Sequence, residues 1–409
     1  MAESQEKIPE GLVESVQPEK VKTADPRTHY VELDALRGIA ILGVMMNHIA
    51  GWWTNLAKVP LPIPILNVDA LGLFSFGNYG VSLFFLLSGY LLTWTEEKRA
   101  RTGAYSLRAY ALRRVFRLVP AYYVAIVIVA IVWPLAIQEV SGLDILINAS
   151  FLRTLFPVDP LIPDPTFWSL TPEVAFYCLL PFIVLKLPRL SQRLILFGAL
   201  TLVSLATWTY IALNSEPFDF QAPGFTDFYF SRLPSTHLYL FLAGVLLRML
   251  VERLNTQPMP ERVQSLLASI LFLASTLFLV TCPYLLMDVG QATTGPATML
   301  VNLMVIAFFA SALLGAPLLR GVLSWRPLAF IGMISYSLFV FHATVIVVCT
   351  YFYNTYLRRV AKHLLAHQSW QGEWLHFGAY ALVILAVSGA ISYLSYRYIE
   401  GPFLRYKPK

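Results

Sequence analysis

An arginine and a histidine stand eleven residues apart in one apolar stretch, LDALRGIAILGVMMNH, where Arg37 precedes His48. At about 100° per residue that spacing returns to within roughly 20° of the same helical face, about 16 Å further along the axis. The two side chains therefore line one groove at two depths. Ionisable groups inside a bilayer are costly, so those that persist mark functional positions by default. A neutral imidazole at that depth is a proton acceptor, suited to act as a general base on a hydroxyl. An arginine nearer the surface suits phosphates, which guanidinium groups hold through paired charge-assisted hydrogen bonds. The arrangement fits a substrate with an anionic head and a reactive end on a long thin arm, the shape of a coenzyme A thioester.

Two further groups share that depth. His342 lies about as far into its own apolar segment as His48 does. Glu173, in WSLTPEVAFY, sits at the start of another, where the positive end of the helix dipole favours a carboxylate. A carboxylate beside an imidazole can orient it, although a helix-end cap explains Glu173 equally well, and spacing alone does not say which histidine it meets. The basic run RRVFRLVPAYY adds Arg113, Arg114 and Arg117, with Arg114 and Arg117 as candidate phosphate ligands and Arg113 as a residue that orients the chain.

The elements that must position these groups are transmembrane helices. Of the 409 residues, 57% are hydrophobic and 13% charged, where soluble chains carry about 25% charged residues. Apolar runs near the bilayer-spanning length of about 20 residues recur along the chain. They predict an all-α polytopic membrane protein of about ten helices: 33–53, 76–95, 119–138, 169–186, 194–213, 236–251, 264–285, 296–316, 328–352 and 376–397. Segment 60–72 is too short and too rich in proline to span, and 355–368 reads as a surface helix. Residues 1–32 are polar and predict a disordered cytoplasmic tail, residues 33–403 form one transmembrane domain, and 404–409 a short cytoplasmic tail. Placing both termini inside puts 24 of the 30 Lys and Arg residues on the cytoplasmic side, as the positive-inside rule requires. The strongest anchor is the basic loop from Glu96 to Val119. The long outer loops at 139–168 and 214–235 are candidates for a lid or acceptor groove. Cys178, Cys282 and Cys349 are too far apart for a metal cluster and read as membrane-core packing. The net charge of +6 is accounted for by loop basicity, without a nucleic-acid partner.

Taken in order, the motifs resemble those of the acyltransferase-3 family of membrane acyltransferases, from about Tyr30 to Pro402. Arg37 and His48 in LDALRGIAILGVMMNH resemble the opening signature. GVSLFFLLSGYLL (Gly80 to Leu92), RRVFRLVPAYY (Arg113 to Tyr123) and WSLTPEVAFY (Trp168 to Tyr177) are similar to the following blocks. SYSLFVFH, ending at His342, and RYIEGPF (Arg397 to Phe403) resemble the closing ones. The resemblance implies transfer of an acetyl or other short acyl group from a cytoplasmic acyl-CoA co-substrate, with no resident cofactor or metal. The acceptor would be a sugar hydroxyl on a cell-surface glycan or a glycosylated small molecule, and the setting a bacterial plasma or inner membrane. It implies that His48 is catalytic, that Arg37 is its motif partner, that Arg114 and Arg117 bind acyl-CoA, and that Glu173 and His342 belong to the site. FYFSRLPSTHLYLFLAG, a looser match, offers Arg232 and His237 on the acceptor side. Some members carry a hydrolase-like domain after the helices. Here few residues follow the closing block, so transfer is expected to finish in the membrane domain or to be handed to a separate protein.

A transporter or flippase for an acyl group or lipid-linked sugar is the alternative. It calls for inverted repeats with Gly- or Pro-broken helices at matching positions, and the sequence shows no internal repeat. A receptor or scaffold would leave Arg37, His48 and Glu173 unexplained.

Overall fold

The computed structural model describes residues 26–57, 62–63, 68–69, 74–136, 140–156, 166–214, 230–286, 296–357 and 370–406. The regular structure of the described residues is helical apart from a short antiparallel pair, Pro62–Ile63 with Val68–Asp69. In chain order the helices are α1 (Pro26–Ala57), α2 (Gly80–Arg101), α3 (Leu107–Ala136), α4 (Gly142–Ala149), α5 (Leu170–Lys186), α6 (Leu190–Asn214), α7 (Pro234–Thr256), α8 (Glu261–Leu286), α9 (Pro296–Leu313), α10 (Pro317–Leu323), α11 (Arg326–Met333), α12 (Ser335–Phe352), α13 (Trp370–Ser395) and α14 (Gly401–Tyr406).

Eight helices are long and apolar enough to cross a bilayer, and a ninth span results if α9 and α10, bent by 82°, count as one. The ten expected segments are helical over most of their described residues, but α2 is not among the eight, its C-terminal end carrying Glu96, Glu97, Lys98, Arg99 and Arg101. The chain is a multi-pass membrane protein. Much of its outer surface is apolar, as at Leu202, Leu213, Leu266, Leu277 and Leu382, which is the surface that lipid covers.

Several boundaries differ from expectation for physical reasons. The first helix starts at Pro26 rather than Leu33. The basic loop expected from Glu96 to Val119 is mostly helix, with only residues 102–106 between α2 and α3. Its charges pair across elements: buried Arg113 donates to buried Glu96 at 2.8 Å, and Arg193 of α6 donates to Glu97 at 2.6 Å. Arg101 adds a pair with Glu252 of α7. These bridges tie the ends of α2, α3, α6 and α7 together at one end of the bundle. The expected helix 328–352 is broken at Ile334 into α11 and α12. The one expected at 296–316 bends after Leu313, where Gly315 takes φ +77° and Pro317 starts α10, a left-handed stop followed by proline at the next helical start. Cys178 is exposed rather than in the core, and Cys349 is partly buried, because an apolar run has a lipid face as well as a packed one. The surface helix expected at 355–368 lies outside the described residues from 358 onwards. So do residues 1–25 of the first tail, 407–409 of the second, and the stretches 157–165 and 215–229 of the two long loops.

Helix contacts are closest where glycine removes the side chain. A Cβ on Gly89 would strike the backbone of Phe241 in α7, and one on Gly244 would strike the backbone of Leu86 in α2. In the same way Gly332 of α11 sits against the backbone of Asp34 in α1. Lipid is as apolar as leucine, so such close van der Waals contact, rather than exclusion of water, holds transmembrane helices together. These contacts bring α1, α2, α7 and α11 around a common centre.

Candidate active site

A cavity with about 110 Å³ of water-accessible volume opens among α1, α2, α3, α5 and α12. Arg37 of α1, Arg114 and Arg117 of α3, and Glu173 and Tyr177 of α5 give it a polar wall, while Phe84 and Phe85 of α2 and Phe339 of α12 give it an apolar one. Three of the sequence-selected arginines and the selected glutamate thus meet in one space.

The three cations are not equivalent. Arg37 is held by Asp34, one helical turn earlier, at 2.7 Å. Arg117 donates to Glu400 at 2.8 Å and lies 5.3 Å from the centre of the Tyr336 ring. Arg114 makes no ion pair among the described residues. Its guanidinium lies 5.7 Å from the ring centres of both Tyr110 and Tyr177, a cation–π setting that holds the charge without neutralising it. Arg114 is therefore the cation most able to take a new anion. Arg113, its neighbour in sequence, is committed to Glu96 and does not line the cavity.

Glu173 accepts a short hydrogen bond from the Tyr177 hydroxyl, one turn along α5. It bonds to neither imidazole, so among the described residues no carboxylate orients His48 or His342.

The two histidines meet each other instead. His48 Nδ1 lies 2.8 Å from His342 Nε2. The ring planes are 20° apart and the centroids 5.1 Å, which is the hydrogen-bond length plus one ring radius on each side, the signature of an edge-to-edge N–H···N bond. His342 is fully buried, and its Nδ1 turns back along its own helix to the carbonyls of Leu338 and Phe339, at 2.9 Å each. The break at Ile334 does not disturb the expected equal depth of the pair. Phe339, which lines the cavity, lies 6.0 Å from the His342 ring, so the apolar wall leads from the arginines toward the imidazoles.

A third group lies beside Phe85. The His237 ring is 5.5 Å from Phe85 and 5.1 Å from Trp168, and Arg232 stands 5.5 Å over Trp168. His237 Nε2 donates to the Ser231 carbonyl at 2.9 Å. The two residues expected on the acceptor side thus meet at Trp168.

Sequence reasoning passed over Tyr177, Tyr336 and Glu400. Tyr177 stands four residues after Glu173 in WSLTPEVAFY, the spacing of helical neighbours, which was a usable signal. Glu400 lies in RYIEGPF, and its role depends on a partner 283 residues away, which no local pattern announces. Among the described residues no group of His, Cys, Asp and Glu is arranged to hold a metal ion.

Residues 30–393 match the family described as an acyltransferase domain, acyltransferase-3. The chain is 26% identical over 343 residues to the Bacillus subtilis (strain 168) protein named "Putative peptidoglycan O-acetyltransferase YrhL", covering 78% of this chain and 49% of that protein. It is 24% identical over 395 residues to "Putative O-acetyltransferase SACOL0978" of Staphylococcus aureus (strain COL), covering 91% of this chain and 56% of that protein. It is 23% identical over 386 residues to "O-acetyltransferase OatA" of Staphylococcus aureus (strain NCTC 8325 / PS 47), covering 90% and 56%. The chain thus spans about half the length of the curated relatives it matches. No solved structure matches it. With the family match extending over nearly all of its helices, the chain belongs to the acyltransferase-3 family of acyltransferase domains.

Proposed function

We propose that this protein is a membrane O-acyltransferase that moves an acetyl or other short acyl group from acyl-CoA to a hydroxyl of a sugar or glycosylated acceptor. The observation that carries the reading is the arginine-lined cavity whose aromatic wall leads to the His48 and His342 pair. In this reading the chain crosses the membrane ten times with both termini cytoplasmic, and the membrane is the bacterial cell membrane. The anionic head of the donor lies against Arg37, Arg114 and Arg117, and its thioester reaches past Phe84, Phe85 and Phe339 to the imidazoles. Arg232 and His237 face the acceptor.

His48 takes the proton of the acceptor hydroxyl as the oxygen attacks the thioester carbonyl carbon. The carbon–sulfur bond breaks, an ester forms, and the proton returns from His48 to the departing thiolate, giving coenzyme A. The acceptor in the name of the Bacillus subtilis relative makes peptidoglycan the first one to try.

Purified protein incubated with labelled acetyl-CoA and a panel of glycans tests the reading, with His48→Ala alongside. Label should pass to one acceptor class and fall by about a hundredfold or more in the variant, the usual range for losing a general base. Unchanged transfer in His48→Ala would remove His48 from the chemistry. Acyl-CoA-dependent export of label without ester formation would favour a transporter.

A further inference from the structure

We infer that His342 is a positioning residue that holds His48 in the tautomer protonated on Nδ1, so that Nε2 of His48 is the atom that receives the acceptor's proton. The chemical part of this statement rests on the acyl-transfer reading; the tautomer does not.

The argument is a chain of donors and acceptors. A backbone carbonyl only accepts, so His342 Nδ1, which faces the carbonyls of Leu338 and Phe339 at 2.9 Å, carries a hydrogen. In a neutral ring the other nitrogen is then bare. His342 Nε2 therefore accepts, and the 2.8 Å contact to His48 requires that His48 Nδ1 donate. By the same rule His48 Nε2 is left as a lone pair. The sequence of bonds runs from the Leu338 and Phe339 carbonyls through His342 to His48, and each step fixes the next. A second-layer partner setting which nitrogen of a histidine is basic is a general device, and a carboxylate commonly fills that place. Here no carboxylate touches either ring among the described residues, and a helix backbone acting through a buried imidazole takes the part instead.

When His48 Nε2 gains a proton, the resulting imidazolium keeps its Nδ1–H directed at the His342 lone pair. The charge is stabilised by a neutral acceptor, with no second negative group to solvate in the dry interior. The proton taken at Nε2 is the one returned to sulfur, so His342 ends each cycle unchanged.

Nitrogen-15 NMR of the full-length protein in detergent, with labelled histidine and assignment by His48→Gln and His342→Gln, reads the tautomers directly at neutral pH. The expected spectrum has Nδ1 protonated and Nε2 bare in both rings. A spectrum with His48 protonated on Nε2, or with His342 doubly protonated, overturns the inference whether or not transfer is observed. The glycan assay separately decides the acyl-transfer reading. In His342→Leu the His48 ring should lose its fixed tautomer, and kcat should fall by about a hundredfold with KM for acyl-CoA unchanged. His342→Gln, whose side-chain oxygen can accept from His48 Nδ1, should recover at least a tenth of wild-type kcat. Equal loss in both variants, with both folded by circular dichroism, would reduce His342 to a packing residue. If His342→Leu does not fold, the wild-type spectrum and His342→Gln still decide the matter.

Discussion

Arg113 and Arg114 are adjacent in sequence and opposite in fate. The first is closed off against Glu96 at 2.8 Å, whereas the second lies between two tyrosine rings with no carboxylate partner among the described residues. Two neighbours on a helix point about 100° apart, and here that angle separates a cation that holds helices together from one left open to a ligand.

Arg114→Ala should raise KM for acyl-CoA while leaving kcat within a few fold. A hydrogen bond to a charged group contributes about 1.5 to 3 kcal/mol, so the increase should be roughly tenfold to a hundredfold. Arg114→Lys should recover only part of it, since an ammonium lacks the planar fork. Steady-state kinetics with labelled acetyl-CoA give both constants. A change confined to kcat would place Arg114 at the chemistry rather than at the donor's head.

Glu96→Gln should lower stability, because it leaves the buried Arg113 charge unmatched. Breaking one side of a buried pair costs about 3 to 5 kcal/mol. Replacing both residues by leucine should restore most of the loss, since a packed apolar pair avoids the desolvation of two ions. Thermal unfolding in detergent, followed by tryptophan fluorescence, compares the three proteins.

Glu400→Gln tests the bond that fixes Arg117. Glu400 is almost wholly buried and also accepts from the Ser337 hydroxyl. The variant should weaken acyl-CoA binding several fold through a less ordered Arg117, and Ser337→Ala should do so less. Equal KM in wild type and Glu400→Gln would show that Arg117 keeps its place without the pair.

Gly244→Val places a branched side chain where the backbone of Leu86 already lies. Overpacking of this kind costs about 1 to 3 kcal/mol, and here the obstacle is main chain, which yields little. The expected result is a lower unfolding temperature and less folded protein, read by size-exclusion yield. A variant as stable as the wild type would mean that α2 and α7 can separate freely.

The helices were legible because apolar runs of bilayer length have few other uses. The charged stretch from Glu96 onward was misread as loop. Hydropathy counts Glu96 and Arg113 as signs of water, while in the folded protein the two are buried as an ion pair. The break at Ile334 was hidden because no proline marks it; it lies two residues after Gly332, which is pressed against α1. At the site, residue types and depth singled out His48, His342 and the arginines. The identity of each partner was beyond reach, since Glu173 turns to Tyr177 and the imidazoles turn to each other. Spacing along one helix reports which side chains share a face, and it is silent on what stands opposite.

The pairing of Arg117 with Glu400 spans 283 residues, and it ties the cavity to the order in which the chain enters the membrane. Arg117 is inserted early, and its anchor arrives only after the intervening helices have been threaded. A partly inserted chain therefore has Arg117 without the carboxylate that holds it. Completion of insertion is in this way a condition for the pair that fixes Arg117 in the cavity wall.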